Sequence, residues 1–124
     1  MARLIRQQDG KQLGLPGRSA LEMVSGESGS RVTFRIVEIP VPKPGEKLRG
    51  PHLHHGYEEC IYVLKGSGLT LSESGELAVK AGDVMLMPPE EKHVTRNTGN
   101  TPLVLLCFFP TPEIASSTEN FDSF

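Results

Sequence analysis

The sequence predicts an all-β fold, a small antiparallel β-barrel or double-sheet jelly roll, on three observations. Thirteen glycines and ten prolines cut the 124-residue chain into short pieces. Helical periodicity is weak throughout. The apolar residues recur instead with a period of two, in segments bounded by Gly, Pro, Asn or Ser. Short strands with such boundaries belong to sandwiches and barrels. The length suits one domain spanning 1–124, with a core at about 19–110 and peripheral ends.

Taken in order, "SALEMVSGESGS" predicts a strand from Ala20 to Val24 and then a Gly/Ser loop. "RVTFRIVEIP" sets Val32, Phe34 and Ile36 against Thr33 and Arg35, a half-buried strand with the apolar set as its buried side, ended by Pro40. "ECIYVLKG" is β-branched and aromatic and stops at Gly66. "GLTLSES", "ELAVKAG", "DVMLMPP", "HVTRNTG" and "PLVLLCFFP" complete the strand set. In "LVLLCFF" alternation allows two inner faces, Leu103, Leu105, Cys107 and Phe109 or Val104, Leu106 and Phe108. The first is favoured, because Phe109 at the strand end can close a barrel mouth. The polar tail from Thr111 is either loose or packed as an arm.

Composition narrows the partners. Thirteen basic against fifteen acidic side chains give a net charge of -2 with no run of like charge, which points to neither nucleic acid nor an anionic membrane. The apolar run Leu103 to Phe109 is far shorter than the roughly 20 residues of a membrane helix. "MARLIRQQDGKQ" turns polar before a signal-peptide core forms. A soluble cytoplasmic protein is expected. Cys60 and Cys107 lack CxxC spacing and read as buried, reduced thiols.

The chemistry gathers in "PHLHHGYEEC", Pro51 to Cys60, which holds three of the four histidines. His52 and His54 are two apart on one strand, on the same face with backbones about 6.6 Å apart, close enough for both imidazoles to reach one ion. Glu59 lies out of phase with them, and Gly56 allows the bend that brings it back. Ile61 and Val63 share its face, so Glu59 is a carboxylate in an apolar row, and a cation between imidazoles would partner it. Glu59 facing in sends Cys60 outward. His93, at the start of another strand just past "PPEEK", is the fourth candidate ligand.

These residues carry a resemblance. "PHLHHGYEECIYVLKG" resembles the first motif of the cupin superfamily, H-x-H-x4-E-x6-G, through His52, His54, Glu59 and Gly66; "GDVMLMPPEEKHVTRN" resembles the second, G-x5-P-x-G-x2-H-x3-N, through Gly82, Pro88, His93 and Asn97. Only Ser67 to Ala81 separates them, similar to compact single-domain members. The glycine that opens the first motif falls one position early, at Gly45, and Glu90 replaces a glycine in the second. The resemblance implies a jelly roll holding one divalent metal on His52, His54, Glu59 and His93, and a homodimer. Three imidazoles and a carboxylate suit Fe, Mn, Ni, Cu or Zn, and four ligands on a six-coordinate ion leave two positions open.

The function expected is a metal-dependent enzyme acting on a small oxygen-bearing substrate, a dioxygenase by preference. Its rivals are a sugar-acid or keto-compound isomerase, epimerase or lyase, and a non-catalytic small-molecule-binding barrel. The proton-transfer candidates are His55 and Tyr57, with Glu58 behind them; rim exposure or packing is the competing reading for each, as it is for Tyr62. Arg49 and Arg96 are candidates to meet an anionic substrate. Asn97 serves either to orient a ligand or to form the turn before "TGNTP".

Overall fold

The computed structural model describes residues 1–124. Eleven strands follow one another: β1 (Lys11–Leu13), β2 (Ser19–Val24), β3 (Thr33–Ile39), β4 (His52–His54), β5 (Glu59–Lys65), β6 (Ser67–Ser72), β7 (Gly75–Lys80), β8 (Val84–Met87), β9 (His93–Asn97), β10 (Leu103–Phe109) and β11 (Thr118–Asn120). They pair antiparallel in two sheets, ordered β1-β2-β3-β10-β5-β8 and β11-β4-β9-β6-β7. No strand is shared between the sheets, so the jelly-roll expectation holds as an open sandwich, and the closed barrel does not. Every segment that the alternation marks as a strand is one. β1 and β11 were not foreseen, because three polar-rich residues at a sheet edge carry no periodic signal.

One expected phase is reversed. On β3 the inward residues are Thr33, Arg35, Val37 and Ile39, while Phe34 and Ile36 face outward. The register explains why. Phe34 pairs with Phe108 and Ile36 with Leu106, on the outer side of β10, whose inner side is Leu103, Leu105, Cys107 and Phe109, as favoured. The apolar outer residues belong to two rows that cross the six-stranded sheet in register: Leu21, Ile36, Leu106, Tyr62 and Val84, and beside it Phe34, Phe108, Cys60 and Leu86. Between the sheets lies one hydrophobic cluster that includes Val37, Ile39, Ile61, Val63, Leu105 and Phe109.

The tail packs as an arm. Thr33 Oγ1 donates to Thr111 O at 2.8 Å, Ile114 is buried in the core, and β11 then pairs with β4, setting Thr118 against His54 and Asn120 against His52. Phe121 N donates to Pro51 O at 2.9 Å, and Lys92 Nζ sits 4.0 Å from the Phe121 ring centroid. Asn97 proves to be a turn residue. Its Nδ2 donates to Ile39 O and Thr101 O, and its Oδ1 accepts from Gly99 N, all at 2.8–2.9 Å. It thereby ties the end of β3 to the turn before β10. No helix is long and apolar enough to cross a membrane.

Candidate metal centre

The ligand cluster forms in the gap between the sheets. His52 and His54 project from one face of β4, and His93, first residue of β9, is the direct cross-strand partner of His52 with ring centroids 4.4 Å apart. Glu59 opens β5 in the opposite sheet. Its odd spacing from His54 therefore needs no bulge: residues 55–58 carry the chain from one sheet to the other, and Gly56 takes the left-handed φ of 90° that this turn requires. One ligand atom from each of the four residues lies within 4.8 Å of the others. His54, Glu59 and His93 are buried, and His52 is half-buried.

Hydrogen bonding fixes the direction of the imidazole lone pairs. His93 Nδ1 contacts Glu91 O at 2.9 Å, a carbonyl that only accepts, so Nδ1 carries the proton. Thr118 Oγ1 donates to Ile114 O at 2.8 Å and therefore accepts from His54 Nδ1 at 2.9 Å. Both rings thus aim an Nε2 lone pair inward. These two nitrogens approach Glu59 Oε1 to 3.4 and 3.3 Å, and all three atoms are sealed from solvent without a hydrogen-bond partner. A proton on one Nε2 would join one pair and leave the third atom facing it. A divalent cation satisfies all of them, and three imidazoles with a carboxylate suit a first-row transition metal.

Electrostatics agree. Burial, reinforced by His93, lowers the His52 imidazole to about 2, so it stays neutral and ready to ligate. Burial pushes the Glu59 carboxyl up, but His54 and His93 beside it outweigh that effect and hold it below the usual carboxylate range.

A cavity of about 270 Å³ opens beside the cluster. Arg49 lines it, together with Arg18 and Arg35, two arginines that sequence reasoning missed. Arg35 had a readable signal, since the true phase of β3 turns it inward; Arg18 sits in a loop and had none. Arg96 lies outside this cavity, against the segment around Lys47. Cys107 faces in, and burial pushes its thiol well up, whereas Cys60 lies on the outer face.

His55 and Tyr57 are not part of the cavity wall. His55 is exposed, held at 3.1 Å by Glu90 and 2.9 Å by Glu119. Tyr57 stacks on His54 at 5.7 Å and bonds Ser117 Oγ at 2.7 Å. His55 ties the arm and the turn before β9 to the outer side of β4, whereas Tyr57 packs against the core on the inner side, beside the His54 ring, and ties the arm there. Glu90, which stands in the glycine position of the motif, adopts φ 64° itself, and its carboxylate accepts from Gly56 N at 3.0 Å.

A two-sheet jelly roll with three inward histidines and a glutamate between its sheets defines a metal-binding cupin. A sequence model described as Cupin domain matches residues 41–109, and the chain belongs to that family. Among relatives, it is 38% identical over 84 residues to the uncharacterized protein MJ1618 of Methanocaldococcus jannaschii, covering 68% of this chain and 66% of that protein. It is 40% identical over 73 residues to the oxalate-binding protein of Thermotoga maritima, covering 59% and 57%. In fold it is similar to the Lactobacillus farciminis oxalate decarboxylase formate complex (TM-score 0.76, 23% identity), covering 92% of this chain but 34% of that one. It is also similar to the polyketide cyclase RemF of Streptomyces resistomycificus (TM-score 0.75, 20% identity, 97% and 85% covered).

Two outcomes are expected. His54→Ala and His93→Ala lose most bound metal but keep a β-sheet circular dichroism spectrum, because the hydrophobic cluster between the sheets holds them together. Thr118→Val, which removes the acceptor for His54 Nδ1, weakens metal affinity about 10- to 100-fold, and Thr118→Ser restores it. Elemental analysis and competition with a fluorescent chelator check both.

A third expected outcome concerns pH in the metal-free protein. Unfolded His52 takes a proton near pH 6.5, whereas the folded group resists it to about pH 2. Its contribution to stability is complete above about pH 6.5 and falls by about 2 kcal/mol on acidification to about pH 5. Glu59 adds its loss only below its usual range, about pH 4.5. Urea midpoints near pH 8 and pH 5 with chelator present should show the drop, and His52→Gln should flatten it.

Proposed function

We propose that the chain is a metal-dependent enzyme acting on a small oxygen-bearing organic molecule, with dioxygenase chemistry as its reaction class. The four-residue cluster would hold the ion, which when bound supplies Lewis acidity and, for Fe, Mn, Ni or Cu, redox capacity. The composition of the cavity wall carries the choice among reactions. Outside the ligand set it has no carboxylate, histidine, lysine or tyrosine, only arginines, Thr95, Thr118, Asn120, Cys107 with its raised thiol, and apolar residues. An isomerase or epimerase needs a side chain to take and return a proton. A dioxygenase places both atoms of dioxygen in its product and draws electrons from the substrate, so no side chain has to return a proton to the substrate carbon.

A second reading, binding of a small carboxylate, is supported by the similarity to an oxalate-binding protein. Oxygen uptake and product analysis on a panel of enolizable, phenolic and carboxylic compounds separate the two. Turnover that consumes dioxygen and stops anaerobically is expected. Undiminished anaerobic turnover would replace the dioxygenase reading with an isomerase or lyase, and saturable binding without turnover would replace it with a binding protein.

The reading includes a homodimer formed through the outer face of the six-stranded sheet. Val84 and Leu86 there are 64% and 59% exposed and continue two apolar rows. A second copy of the same face offers matching apolar rows under a two-fold axis. Sedimentation equilibrium should give twice the chain mass, falling to one chain for Leu86→Glu; a wild-type monomer at micromolar concentration would refute it.

A further inference from the structure

The cavity beside the metal centre holds more positive charge than the protein neutralises. Arg18 reaches it from the loop between β1 and β2, Arg35 from β3, and Arg49 from the segment before β4. Arg35 is paired: its Nε lies 3.2 Å from Glu22 Oε1, and its guanidinium stands 5.8 Å from the Phe109 ring centroid. Arg18 and Arg49 have no carboxylate partner among the ion pairs of the fold. Arg18 Nη1 donates only to Pro16 O, at 2.8 Å. Arg49 Nη2 donates to Thr95 O at 3.2 Å, and its Nη1 is sealed from solvent with no partner at all.

The two unpaired arginines are neighbours. Gly17, beside Arg18, lies so close to Arg49 that a Cβ there would stand 3.5 Å from Arg49 Cδ. Burial lowers the Arg49 guanidinium to about 9, and the nearby Arg18 charge adds to the effect. Three guanidinium charges against Glu22 and Glu59 leave one positive charge in excess, and a divalent ion on the ligand cluster raises the excess to three. Buried charge of one sign is costly unless a partner of the other sign meets it.

The missing partner is anionic, and the wall gives its shape. The metal cluster and the Arg18–Arg49 pair are separate attractors for negative charge. The remaining wall includes Leu15, Val37, Ile39, Ile61 and Leu105, which offer nothing polar. Inorganic phosphate would leave those surfaces unmatched; a carbon skeleton with an acid at each end would not. The planar fork of arginine receives a carboxylate through two parallel N–H donors.

We infer that this cavity binds a small organic dicarboxylate, one carboxylate at the metal cluster and the other on Arg49 and Arg18 across an apolar spacer. The inference rests on the small-molecule reading above and names its substrate class. Arg49 becomes the specificity residue and Arg18 its partner at the more open side.

Calorimetric titration tests it, with metal content measured on each sample. Succinate is the probe, against oxalate, acetate and the neutral isostere succinamide, on wild type, Arg49→Gln, Arg49→Lys and Arg18→Gln. Succinate is expected to bind wild type more tightly than acetate, with succinamide silent. Arg49→Gln should weaken succinate by at least about tenfold at unchanged metal content, with partial recovery in Arg49→Lys. Succinate binding equal in wild type and Arg49→Gln would overturn the inference, as would succinamide binding as well as succinate, or no succinate binding to wild type. Oxalate binding that exceeds succinate and ignores both arginine substitutions would overturn it in favour of a ligand held at the metal alone.

The ligand cluster is judged separately, by the metal content of His54→Ala. Should wild type hold no metal, the chelator-treated protein still decides: Arg49-dependent succinate binding supports the carboxylate site, and its absence refutes it. If Arg49→Gln does not fold, Arg49→Lys and Arg18→Gln give the same reading, because each removes one guanidinium and leaves the apolar walls intact.

Discussion

Two imidazole nitrogens and a carboxylate oxygen face one another across the gap between the sheets, with both available imidazole protons committed elsewhere. Holding such atoms together costs free energy unless a cation joins them. Three of the four ligands belong to the five-stranded sheet and the fourth to the six-stranded sheet. An ion there would therefore fasten one sheet to the other beside the cavity.

Much of the surrounding structure keeps the lone pairs aimed. Thr118 orients His54, the carbonyl of Glu91 orients His93, and Tyr57 and Phe109 flank the His54 ring. His55, out of phase with the ligand pair, points away and clasps Glu90 and Glu119, drawing the turn before β9 and the C-terminal arm toward β4. Its exposure suits an outer brace, and the inner chemistry is left to the ligands and the arginines.

The strands and the ligand set were legible because each depends on local pattern. Alternation reports which side of a strand is apolar, and His-x-His reports a shared face. Neither says which apolar side faces the core. On β3 both sides carry residues that bury well, Phe34 and Ile36 outward and Val37 and Ile39 inward, and the inward side also carries a charged residue, Arg35. That arginine is inside, carried by Glu22 and the Phe109 ring, and no local rule announces a partner thirteen residues away. Arg18 and Thr118 were invisible for a related reason: each matters only through a contact between distant segments. The tail looked polar because one of its faces is, while a single isoleucine anchors it in the core.

The placement of Thr118 also separates the ligands from the residue that orients one of them. All four ligands lie between positions 52 and 93, whereas the oxygen that fixes the tautomer and rotation of His54 lies on β11. A proteolytic nick just after the buried Ile114 would leave every ligand in place and release the His54 ring to turn, which makes the C-terminal arm a removable clamp on the order of the cluster.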